Sequence, residues 1–391
     1  MTDKPCSLDD IRSRLNELDD QLLSLLSERR QMSIEVAKSK VETAKPVRDP
    51  AREQQLLVKL INAGKNKYQL DAQYITKIFH TIIEDSVLLQ QAYLQNLANP
   101  QSRKPLARVA FLGAKGSYSH LATREYFSRK NTELIELNCD RFKEVASTVE
   151  SGHADYGVLP IENTSSGSIN EVYDLLQHTT LYIVGELTQP IEHCLVATQD
   201  IRLEDLKVLY SHPQPHQQCS EFLSHLKGVK LESCASTADA MKKVQQLNRA
   251  DVAAIGNSAS GKLYGLQPIQ ANIANQTENH TRFIVVARKP VEVSPQIPAK
   301  TTLIMSTSQE AGSLVATLLV LQRYAINMTK LESRPIMGNP WEEMFYVDLA
   351  AHIDSQAMQQ ALVELTQLTR HLKVLGCYPS ENIKPIQVKF I

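Results

Sequence analysis

A chain of 391 residues is too long for one ordinary hydrophobic core, so two or three domains are expected. Its hydrophobic content of 42% is typical of a soluble globular protein, and its formal net charge of −1 gives no electrostatic reason to expect nucleic acid or an anionic membrane as a partner. The N-terminal residues include acids and no apolar stretch, and no apolar run approaches the about 18 residues of a membrane span, so neither a signal peptide nor a membrane segment is predicted.

The six cysteines are scattered along the chain. None forms a CxxC pair and none lies at zinc spacing from a histidine, so no metal site is expected and the thiols are predicted to be reduced, in the cytoplasm. Cys219 follows a histidine-rich loop and has two interpretations, a nucleophile or a small buried thiol. The second is the more common role of an isolated cysteine.

The first 97 residues show helical periodicity alone. In the first stretch, apolar residues recur at alternating steps of four and three, so they line one face of a long helix. The second stretch begins with Asp49-Pro50, in which a good N-cap residue precedes a proline in the first helical turn. The predicted helices cover about 7–42, 49–64 and 71–97, and the composition of 99–105 predicts a linker.

Arg29 interrupts the apolar seam of the first predicted helix, at a place where a leucine would pack. A guanidinium there costs several kcal/mol unless an anion meets it, so the position predicts an anionic partner. Lys40 lies eleven residues further on, which turns its side chain to the same side about 16 Å along the axis. The apolar members of the seam are Ile11, Leu15, Leu18, Leu22, Leu25, Met32 and Val36.

The other two predicted helices each carry a polar patch. Asp49, Arg52 and Glu53 share a face of the second helix at i, i+3 and i+4. Ser86 and Gln90 are i, i+4 neighbours on the third. For Arg52 and Glu53 alone, a solvated ion-paired surface explains the pattern equally well.

These stretches resemble a chorismate mutase of the small all-helical class over residues 7–97, through LDDQLLSLLSERR, VAKSK, PVRDPARE and IIEDSVLLQQ. The resemblance implies a pocket for a dicarboxylate ether. A Claisen rearrangement needs no acid, base, metal or cofactor, only a compact substrate conformer and donors where charge grows on the breaking C–O bond. The implied ligands are Arg29, Arg52 and Ser86 for carboxylates, Lys40 and Gln90 for the ether oxygen, and Asp49 and Glu53 for the ring hydroxyl.

The resemblance also implies an intertwined helical dimer. Arg12 lies 17 residues before Arg29, about 25 Å along the same helix, so it cannot reach the same ligand from its own chain. In this family an N-terminal arginine reaches into the partner's pocket, and Arg12 is assigned that role. Three helices alone also form a thin core, which dimerisation would complete.

From residue 107 to about residue 288, apolar β-rich runs alternate with helical segments, which predicts an α/β domain with mostly parallel strands. The runs lie at 108–112, 156–160, 181–184, 207–210, 252–255 and 283–287. Three strand-to-helix loops, FLGAKGSYSHLA, VLPIENTSSGSI and YSHPQPHQQC, are rich in small and polar residues and suggest donors that converge on an oxyacid. The first loop has neither the lysine of a Walker A loop nor a GxGxxG fingerprint.

The middle segment looks like prephenate dehydratase over 106–288, because GSYSH, PIENTSSGSI, SHPQPxQQC and TRF occur in the family's order. The resemblance implies two lobes similar to periplasmic binding proteins, with a cleft in which prephenate loses CO₂ and its ring hydroxyl. Two positions depart from the family pattern, Ala114 in place of a proline and His216 in place of an aromatic residue. The implied roles are Thr281 for the departing hydroxyl, Asn163, Ser211 and Gln218 for orienting substrate, and Arg282 for a carboxylate.

Three residues of these motifs keep more than one interpretation. A free threonine hydroxyl is a poor proton source, so Thr281 is expected to act through a hydrogen bond in a relay. His212 is either a structural histidine or a proton relay. Glu162 is either catalytic or a structural cap.

After the linker VSPQIPAK (293–300), the chain reads strand, helix, strand, strand, helix, strand, which is the ferredoxin-like order. The second helix is predicted over 356–372. The segment resembles a phenylalanine-sensing ACT regulatory domain, through AGSLV, LESRP, GNPWEEMFYVD and GCYP. The resemblance implies phenylalanine at a dimer interface, and the alternative is a pure dimerisation module. The implied effector residues are Gly312, Leu314, Glu332, Ser333 and Arg334.

The sequence therefore predicts a multidomain homodimer or higher homo-oligomer, with an all-α mutase (1–97), an α/β two-lobe dehydratase (105–289) and an α+β ferredoxin-like ACT domain (299–385). End to end, the resemblances match the bifunctional chorismate mutase/prephenate dehydratases of phenylalanine biosynthesis. They imply chorismate and prephenate as substrates, phenylalanine as feedback inhibitor, and no cofactor. A mutase fused to prephenate dehydrogenase is disfavoured because the dinucleotide fingerprint is missing. The alternative that is not an enzyme is a non-catalytic sensor of amino acids or aromatic acids.

Overall fold

The structure is a computed structural model that describes residues 7–43, 45–100, 105–130, 132–276, 278–336, 338–339 and 341–381. The described residues divide into two compact units. The first contains those up to 100 together with Ser294–Ile297, and the second contains 105–293 and 298–381. Cys6 and the outer ends of the first and third predicted domains lie outside the described residues. Among the described helices, none combines the length and the apolar character needed to cross a membrane.

The first unit is built on three helices, as predicted: α1 (Leu8–Thr43), α2 (Pro50–Tyr68) and α3 (Ala72–Ala98). Asp49 caps α2 by accepting from the backbone nitrogen of Arg52 at 3.0 Å. Asp71 caps α3 through the backbone nitrogen of Gln73 at 2.8 Å. The second helix runs past the predicted end at Gly64 because glycine is tolerated in a helix when its neighbours support it.

The apolar seam of α1 lies on the exposed side of the helix. Its seven apolar residues are between 42% and 62% exposed. The buried positions of α1 are Ser33 and Ala37, which follow Arg29 at steps of four. In the single chain, α1 thus buries a narrow polar and small-residue stripe and leaves its apolar seam in contact with solvent.

The second unit begins with the two-lobe domain. Its strands are β1 (Leu106–Leu112), β2 (Glu133–Cys139), β3 (Tyr156–Asn163), β4 (Gly167–Ser168), β5 (Tyr182–Pro190), β6 (Cys194–Ala197), β7 (Val208–Ser211), β8 (Lys230–Ser233), β9 (Val252–Gly256), β10 (Gln267–Gln270) and β11 (His280–Ala287). Its helices are α4 (Tyr118–Ser128), α5 (Phe142–Glu150), α6 (Asn170–His178), α7 (Pro213–Gln218), α8 (Ser220–Ser224), α9 (Thr237–Leu247) and α10 (Ser258–Leu263), with a 3₁₀ turn at Leu203–Asp205.

These strands form one sheet in each lobe. The first has the order β2-β1-β3-β11-β5, with β4 beside β3, and the second has the order β10-β6-β9-β7-β8. The chain passes between the lobes twice, once through residues 191–193 and once between β10 and β11. The expectation of mostly parallel strands is wrong, because β11 returns from the second lobe and runs antiparallel to β3 and β5, and β6 runs antiparallel to β9 and β10.

The C-terminal domain has the predicted βαββαβ order. Its elements are β12 (Ala299–Thr307), α11 (Ser313–Arg323), β13 (Met328–Pro335), β14 (Glu343–Leu349), α12 (Gln356–Leu368) and β15 (Thr369–Pro379). They form an antiparallel sheet of order β13-β14-β12-β15. The second helix is four residues shorter than predicted, because residues 369–372 pair with β12 instead, and tertiary pairing overrides helix propensity.

The C-terminal domain packs directly on the first lobe. A single buried cluster contains Tyr173 and Ile183 from the first lobe together with Tyr346 and Leu375 from the C-terminal domain. The rings of Tyr173 and Tyr346 meet edge-on with centroids 4.9 Å apart. Gly376 lies against the backbone of Ile183, where an added Cβ would come within 2.1 Å of the carbonyl oxygen.

Candidate active sites

Arg29 faces α3. Its guanidinium donates to the hydroxyl of Ser86 and, at 3.2 Å, to the carbonyl oxygen of Ile82. Burial lowers the pKa of Arg29, and the carboxylate of Asp85 opposes that shift. Both hydrogen-bond acceptors are neutral, so an anion is still needed to balance this half-buried charge.

Lys40, in the last turn of α1, reaches the loop before α2. Its ammonium donates to the carbonyl oxygen of Val47. Burial lowers the pKa of Lys40, and the carboxylates of Asp49 and Glu53 act in the opposite direction. The structure therefore brings one predicted donor for the ether oxygen close to both acids predicted for the ring hydroxyl.

Ser86 and Gln90 occupy successive turns of the buried face of α3, and each is 7% exposed. The Oε1 atom of Gln90 is buried, and no donor among the described residues reaches it. A buried polar atom without a partner costs about 1–3 kcal/mol. The Gln90 amide therefore leaves an acceptor open among the helices.

The two acids predicted for the ring hydroxyl already have partners in this chain. Asp49 accepts from the backbone of Arg52 as the N-cap of α2. The Glu53 carboxylate accepts from Nε of Arg48 at 3.2 and 3.3 Å, with both side chains mostly buried. Arg48 was not among the predicted residues, although a cation just before an acidic first turn is a recognisable signal. Arg48 orients the Glu53 carboxylate.

Arg12 and Arg52 are exposed in the single chain. Arg12 lies 3.6 Å from the carboxylate of Asp9, in the part of α1 where the apolar seam is exposed. The straight run of α1 keeps Arg12 far from Arg29, as helix geometry requires. The single chain thus gathers Arg29 with Ser86, and Lys40 with Asp49 and Glu53, and leaves Arg12 apart.

In the two-lobe domain, Thr281 on β11 pairs in register with Asn163 on β3. Both are buried, and Nδ2 of Asn163 donates to the Thr281 hydroxyl at 2.9 Å and to Oδ1 of Asn279 at 2.7 Å. Since the Thr281 oxygen accepts from Asn163, its own proton is directed to another acceptor. The structure brings these two predicted residues into direct contact.

The loop after β3 is organised by Asn163. Its Oδ1 accepts from the backbone nitrogens of Ser165 and Ser166, each at 2.9 Å. The hydroxyl of Ser166 also accepts from Nε2 of Gln214 in the second lobe, at 3.0 Å. This contact links the loop of one lobe to helix α7 of the other.

Gln218 is held by two residues that the sequence analysis missed. Nε2 of His193, in the crossing between lobes, lies 2.8 Å from Oε1 of Gln218. The hydroxyl of Tyr118 lies 3.3 Å from Nδ1 of the same ring and donates to the carbonyl oxygen of Glu192 at 3.0 Å. Burial lowers the pKa of His193, with the hydrogen bond to Gln218 opposing it. The contact at Nε2 of the neutral ring holds the Gln218 amide in place.

Ser211 and His212 lie at the start of α7. The buried Ser211 hydroxyl donates to the carbonyl oxygen of His212 at 2.9 Å. Nδ1 of His212 accepts from the backbone nitrogen of Gln214 at 3.3 Å, and burial lowers the pKa of this histidine. These contacts favour the structural interpretation of His212, as a neutral cap of α7.

The glycine-rich loop before α4 approaches the second lobe. Gly116 has φ +87° and donates to Nδ1 of His120 at 3.1 Å. An added Cβ at Gly116 would lie 2.9 Å from the ring of Tyr264, whose hydroxyl donates to the carbonyl oxygen of Lys115. Ala114, in place of the family proline, accepts from the backbone nitrogen of Ser117 at 3.1 Å, so the turn forms without proline. The second departure, His216, is partly buried within α7.

The predicted role of Arg282 as a ligand for a substrate carboxylate is corrected. Its guanidinium is bound by carboxylates of this chain: Glu186 at 2.8 Å, Glu162 at 3.2 Å and Asp348 at 2.6 Å. Successive residues of a strand face opposite sides of a sheet, so Arg282 points away from the side on which Thr281 meets Asn163. Glu162 has a structural role here. Burial raises its pKa, but ion pairs with Lys330 and Arg282 lower it overall.

Gly312 and Leu314 line a cavity of about 370 Å³ in the C-terminal domain, together with Trp341 and Phe345. Trp341 is 94% exposed and has φ +70°. The other three predicted effector residues lie on strand β13 and are not among the residues that line this cavity, although Ser333 pairs in register with the lining residue Phe345.

Glu332 and Arg334 contact the first lobe instead. Glu332 accepts from the hydroxyl of Ser168 at 2.7 Å, and Arg334 forms two bonds to Asp174, each at 2.9 Å. Ser333 is exposed between them. Within one chain, Glu332 and Arg334 are therefore turned toward the first lobe, whereas Ser333 lies beside the cavity-lining Phe345.

The thiol of Cys219 is fully buried, and burial raises its pKa to about 12. A thiol that stays protonated is a poor nucleophile. This supports the interpretation of Cys219 as a core residue. The described cysteines, Cys139, Cys194, Cys219, Cys234 and Cys377, are all free.

Comparison with known proteins assigns both catalytic regions. Residues 11–91 match the family model "Chorismate mutase type II", and residues 109–291 match "Prephenate dehydratase". The bifunctional chorismate mutase/prephenate dehydratase of Enterobacter agglomerans is 56% identical over 378 residues, which are 96% of this chain and 97% of that one. The protein of the same name from Escherichia coli K12 is 55% identical over 379 residues, with the same coverage.

A solved structure extends the similarity to the fold. The prephenate dehydratase of Arthrobacter aurescens, in complex with L-Phe, superposes with a TM-score of 0.64 at 24% identity. The match covers 72% of this chain and 93% of that one. At this level of identity the match supports a common fold and no further assignment.

Proposed function

The chain belongs to the bifunctional chorismate mutase/prephenate dehydratase family, and we propose how the residues described above carry out its two reactions. The chain is a chorismate mutase and a prephenate dehydratase of phenylalanine biosynthesis. The observation that carries this conclusion is 56% identity over 96% of the chain, through both catalytic regions. The alternative of a non-catalytic sensor has no comparable support.

We propose that chorismate binds among the three helices of the mutase. The cation of Arg29, hydrogen-bonded to Ser86, meets a carboxylate, and this is the anion that the interrupted seam requires. Lys40 and Gln90 donate to the ether oxygen as the C–O bond breaks, because charge grows there in the transition state. Glu53, oriented by Arg48, holds the ring hydroxyl.

We propose that the mutase acts as an intertwined dimer to which Arg12 contributes from the partner chain. The exposed apolar seam of α1 provides the surface on which the two chains pack. Arg12 lies too far from the pocket of its own chain to act there, which is why it is assigned to the pocket of the partner chain. Mixing inactive Arg12→Ala and Lys40→Ala proteins tests this. Subunit exchange would form one intact site per heterodimer and restore about a quarter of wild-type activity. If exchange occurs without recovery, Arg12 does not act across subunits.

In the dehydratase cleft, we propose that Thr281 donates its hydroxyl proton toward the departing ring hydroxyl. Asn163 holds the threonine oxygen, so the proton points outward. As the C–COO⁻ bond breaks, its electron pair enters the ring and the C–OH bond breaks. The departing hydroxide takes up a proton relayed from solvent through the Thr281 hydroxyl, so Thr281 ends protonated and water and CO₂ are released. Gln218, fixed by His193, and Ser211 orient the substrate. Thr281→Ser retains the hydroxyl and is expected to keep more activity than Thr281→Ala.

We propose that phenylalanine inhibits the dehydratase by binding at the cavity beside Gly312 and Leu314, with Glu332–Arg334 supplied across a dimer interface. The support is the relative from Arthrobacter aurescens, whose structure contains L-Phe. We further propose the cytoplasm as compartment, since the described cysteines are free.

One experiment tests the whole assignment. Purified protein is incubated with chorismate, and prephenate and phenylpyruvate are followed with and without phenylalanine. Phenylpyruvate formation that falls with phenylalanine supports all three proposals. Prephenate alone would contradict the role of Thr281, and unchanged chorismate would contradict the mutase site.

A further inference from the structure

Strands β3 and β11 carry different chemistry on their two faces. In their antiparallel register, Thr281 pairs with Asn163, and Arg282 pairs with Glu162. Because side chains alternate along a strand, Thr281 and Asn163 meet on one side, and Arg282 and Glu162 meet on the other. The second side is covered by the C-terminal domain, as the bond of Arg282 to Asp348 shows. The candidate dehydratase pair thus has an ion cluster directly behind it.

The C-terminal domain supplies about half of this cluster. Besides Asp348, it provides the hydroxyl of Tyr378, 3.1 Å from the Arg282 guanidinium. It also provides two ammonium groups, Lys300 at 2.7 Å from Glu186 and Lys330 at 2.8 Å from Glu162. The Arg282 side chain is only 12% exposed. The cluster is therefore complete only when the C-terminal domain is seated on the first lobe.

Such a cluster constrains the backbone that carries it. A guanidinium is a rigid planar fork, so bonds to several acceptors fix its position and orientation. Loss of one partner leaves a buried charge uncompensated, and the remaining groups must shift. Arg282 is joined by one peptide bond to Thr281, so such a shift would disturb the 2.9 Å contact between Thr281 and Asn163.

The loop on the Asn163 side is also tied to the C-terminal domain. Ser165 and Ser166 donate to Asn163, and the same loop continues into β4, where Ser168 donates to Glu332 at 2.7 Å. Thr281 is therefore covalently joined to Arg282, which the C-terminal domain holds. Asn163 accepts from a loop that the C-terminal domain holds through Ser168.

We propose that Arg282 is a positioning residue of the dehydratase site, which aligns Thr281 with Asn163 only while Asp348 and Tyr378 of the C-terminal domain hold its guanidinium. The proposal rests on the proposed function of Thr281. Seating of the C-terminal domain then sets the turnover rate of a site that it does not touch. Loss of this support lowers kcat for prephenate more than it changes KM, since the substrate-orienting residues Ser211 and Gln218 lie in the other lobe.

The test uses the full-length protein with two variants in the C-terminal domain. Asp348→Asn removes one charge of the cluster, and Tyr378→Phe removes one hydroxyl without changing the ring. The matched control is Asp174→Asn, which breaks an ion pair of the same type with Arg334 at the same domain boundary, away from β11. The steady-state kcat and KM for prephenate are measured, and mutase activity reports the integrity of each preparation.

Asp348→Asn is expected to lower kcat for prephenate about tenfold, and Tyr378→Phe by a smaller factor, with KM changed less than about twofold, since small misplacements of a reacting group reduce turnover strongly. Asp174→Asn is expected to stay within about twofold of wild type in both parameters. An unchanged kcat in Tyr378→Phe and Asp348→Asn would overturn the proposal, as would an equal loss in the control. If Asp348→Asn does not fold, Tyr378→Phe decides, because it keeps the charges and the volume.

Failure of this proposal can be told apart from failure of the proposed function. If Thr281→Ala abolishes dehydration and the two C-terminal variants turn over normally, only the positioning role of Arg282 is wrong. If Thr281→Ala retains wild-type turnover, the proposed role of Thr281 is wrong, whatever the C-terminal variants do.

Discussion

Replacement of Gly376 by alanine tests the packing of the C-terminal domain on the first lobe. Gly376 lies on β15, against the backbone of Ile183 on β5. An added Cβ would stand 2.1 Å from the Ile183 carbonyl oxygen, which is 1.3 Å inside the 3.4 Å at which ordinary contacts begin. Backbone cannot rotate away as a side chain can, so one of the two strands must move.

The cost follows from the size of this overlap. Overpacking of a dense interior typically costs about 1–3 kcal/mol. For a unit of this size such a loss lowers the midpoint of thermal inactivation by roughly 2–5 °C. The dehydratase and the C-terminal domain belong to one compact unit, whereas the mutase helices belong to another. Gly376→Ala should therefore shift inactivation of the dehydratase and leave the mutase unaffected.

The assay heats the full-length protein and measures both activities after cooling. Gly261→Ala is the matched control, because its added Cβ would stand 3.0 Å from a side-chain atom of Val196, which can adjust by a few tenths of an ångström. An equal shift in Gly376→Ala and Gly261→Ala, or none in Gly376→Ala, would refute the reasoning. A parallel shift in the mutase would show that the two units do not respond separately.

Three further predictions concern the proposed sites. Lys40→Ala should abolish mutase turnover and spare dehydration of added prephenate, and Thr281→Ala should do the reverse; loss of both activities from either folded variant would contradict separate sites. Burial lowers the pKa of Lys40, and the protonated amine is the required donor. As the pH rises, kcat/KM for chorismate should therefore begin to fall before the pH at which an ordinary lysine loses its proton. A kcat/KM that stays constant up to that pH would contradict this role. Phenylalanine should change the fluorescence of Trp341, the only tryptophan in the sequence, because it lines the proposed cavity, and no change at saturation would place the effector elsewhere.

The sequence was most informative where local rules decide the structure. Asp49-Pro50 located the start of α2 because capping and a first-turn proline act within one turn. The alternation of apolar runs located β3, β9 and β11, which are buried along most of their length. It missed β2 and β8, in which most residues are exposed or partly exposed, so the apolar run that marks a buried strand is absent. It also missed the short strands β4, β6 and β10, although β6 is fully buried.

Contacts between distant segments could not be read in the same way. The link from Tyr118 through His193 to Gln218 joins helix α4, the crossing between the lobes and helix α7, and no local pattern relates their positions. The pairing of residues 369–372 with β12 is likewise a tertiary effect, because the same residues continue a helical pattern in isolation. Among the predicted effector residues, Gly312 and Leu314 line the cavity, whereas Glu332 contacts the first lobe. This separation depends on which face of β13 packs against the first lobe, and that is decided by tertiary structure.

The error about Arg282 has a different cause, because the predicted apolar run began only at residue 283. The structure begins the strand at His280, so Thr281 and Arg282 are consecutive strand residues whose side chains face opposite sides. A role for Thr281 in the cleft therefore excludes the neighbouring arginine from the same surface. A buried arginine on the opposite face then requires anions from whatever covers it, and Asp348 of the C-terminal domain meets that need. Within one short motif, Thr281 thus serves the candidate dehydratase site and Arg282 serves the interface with the C-terminal domain. The peptide bond between these two residues is the shortest connection between the site and the interface.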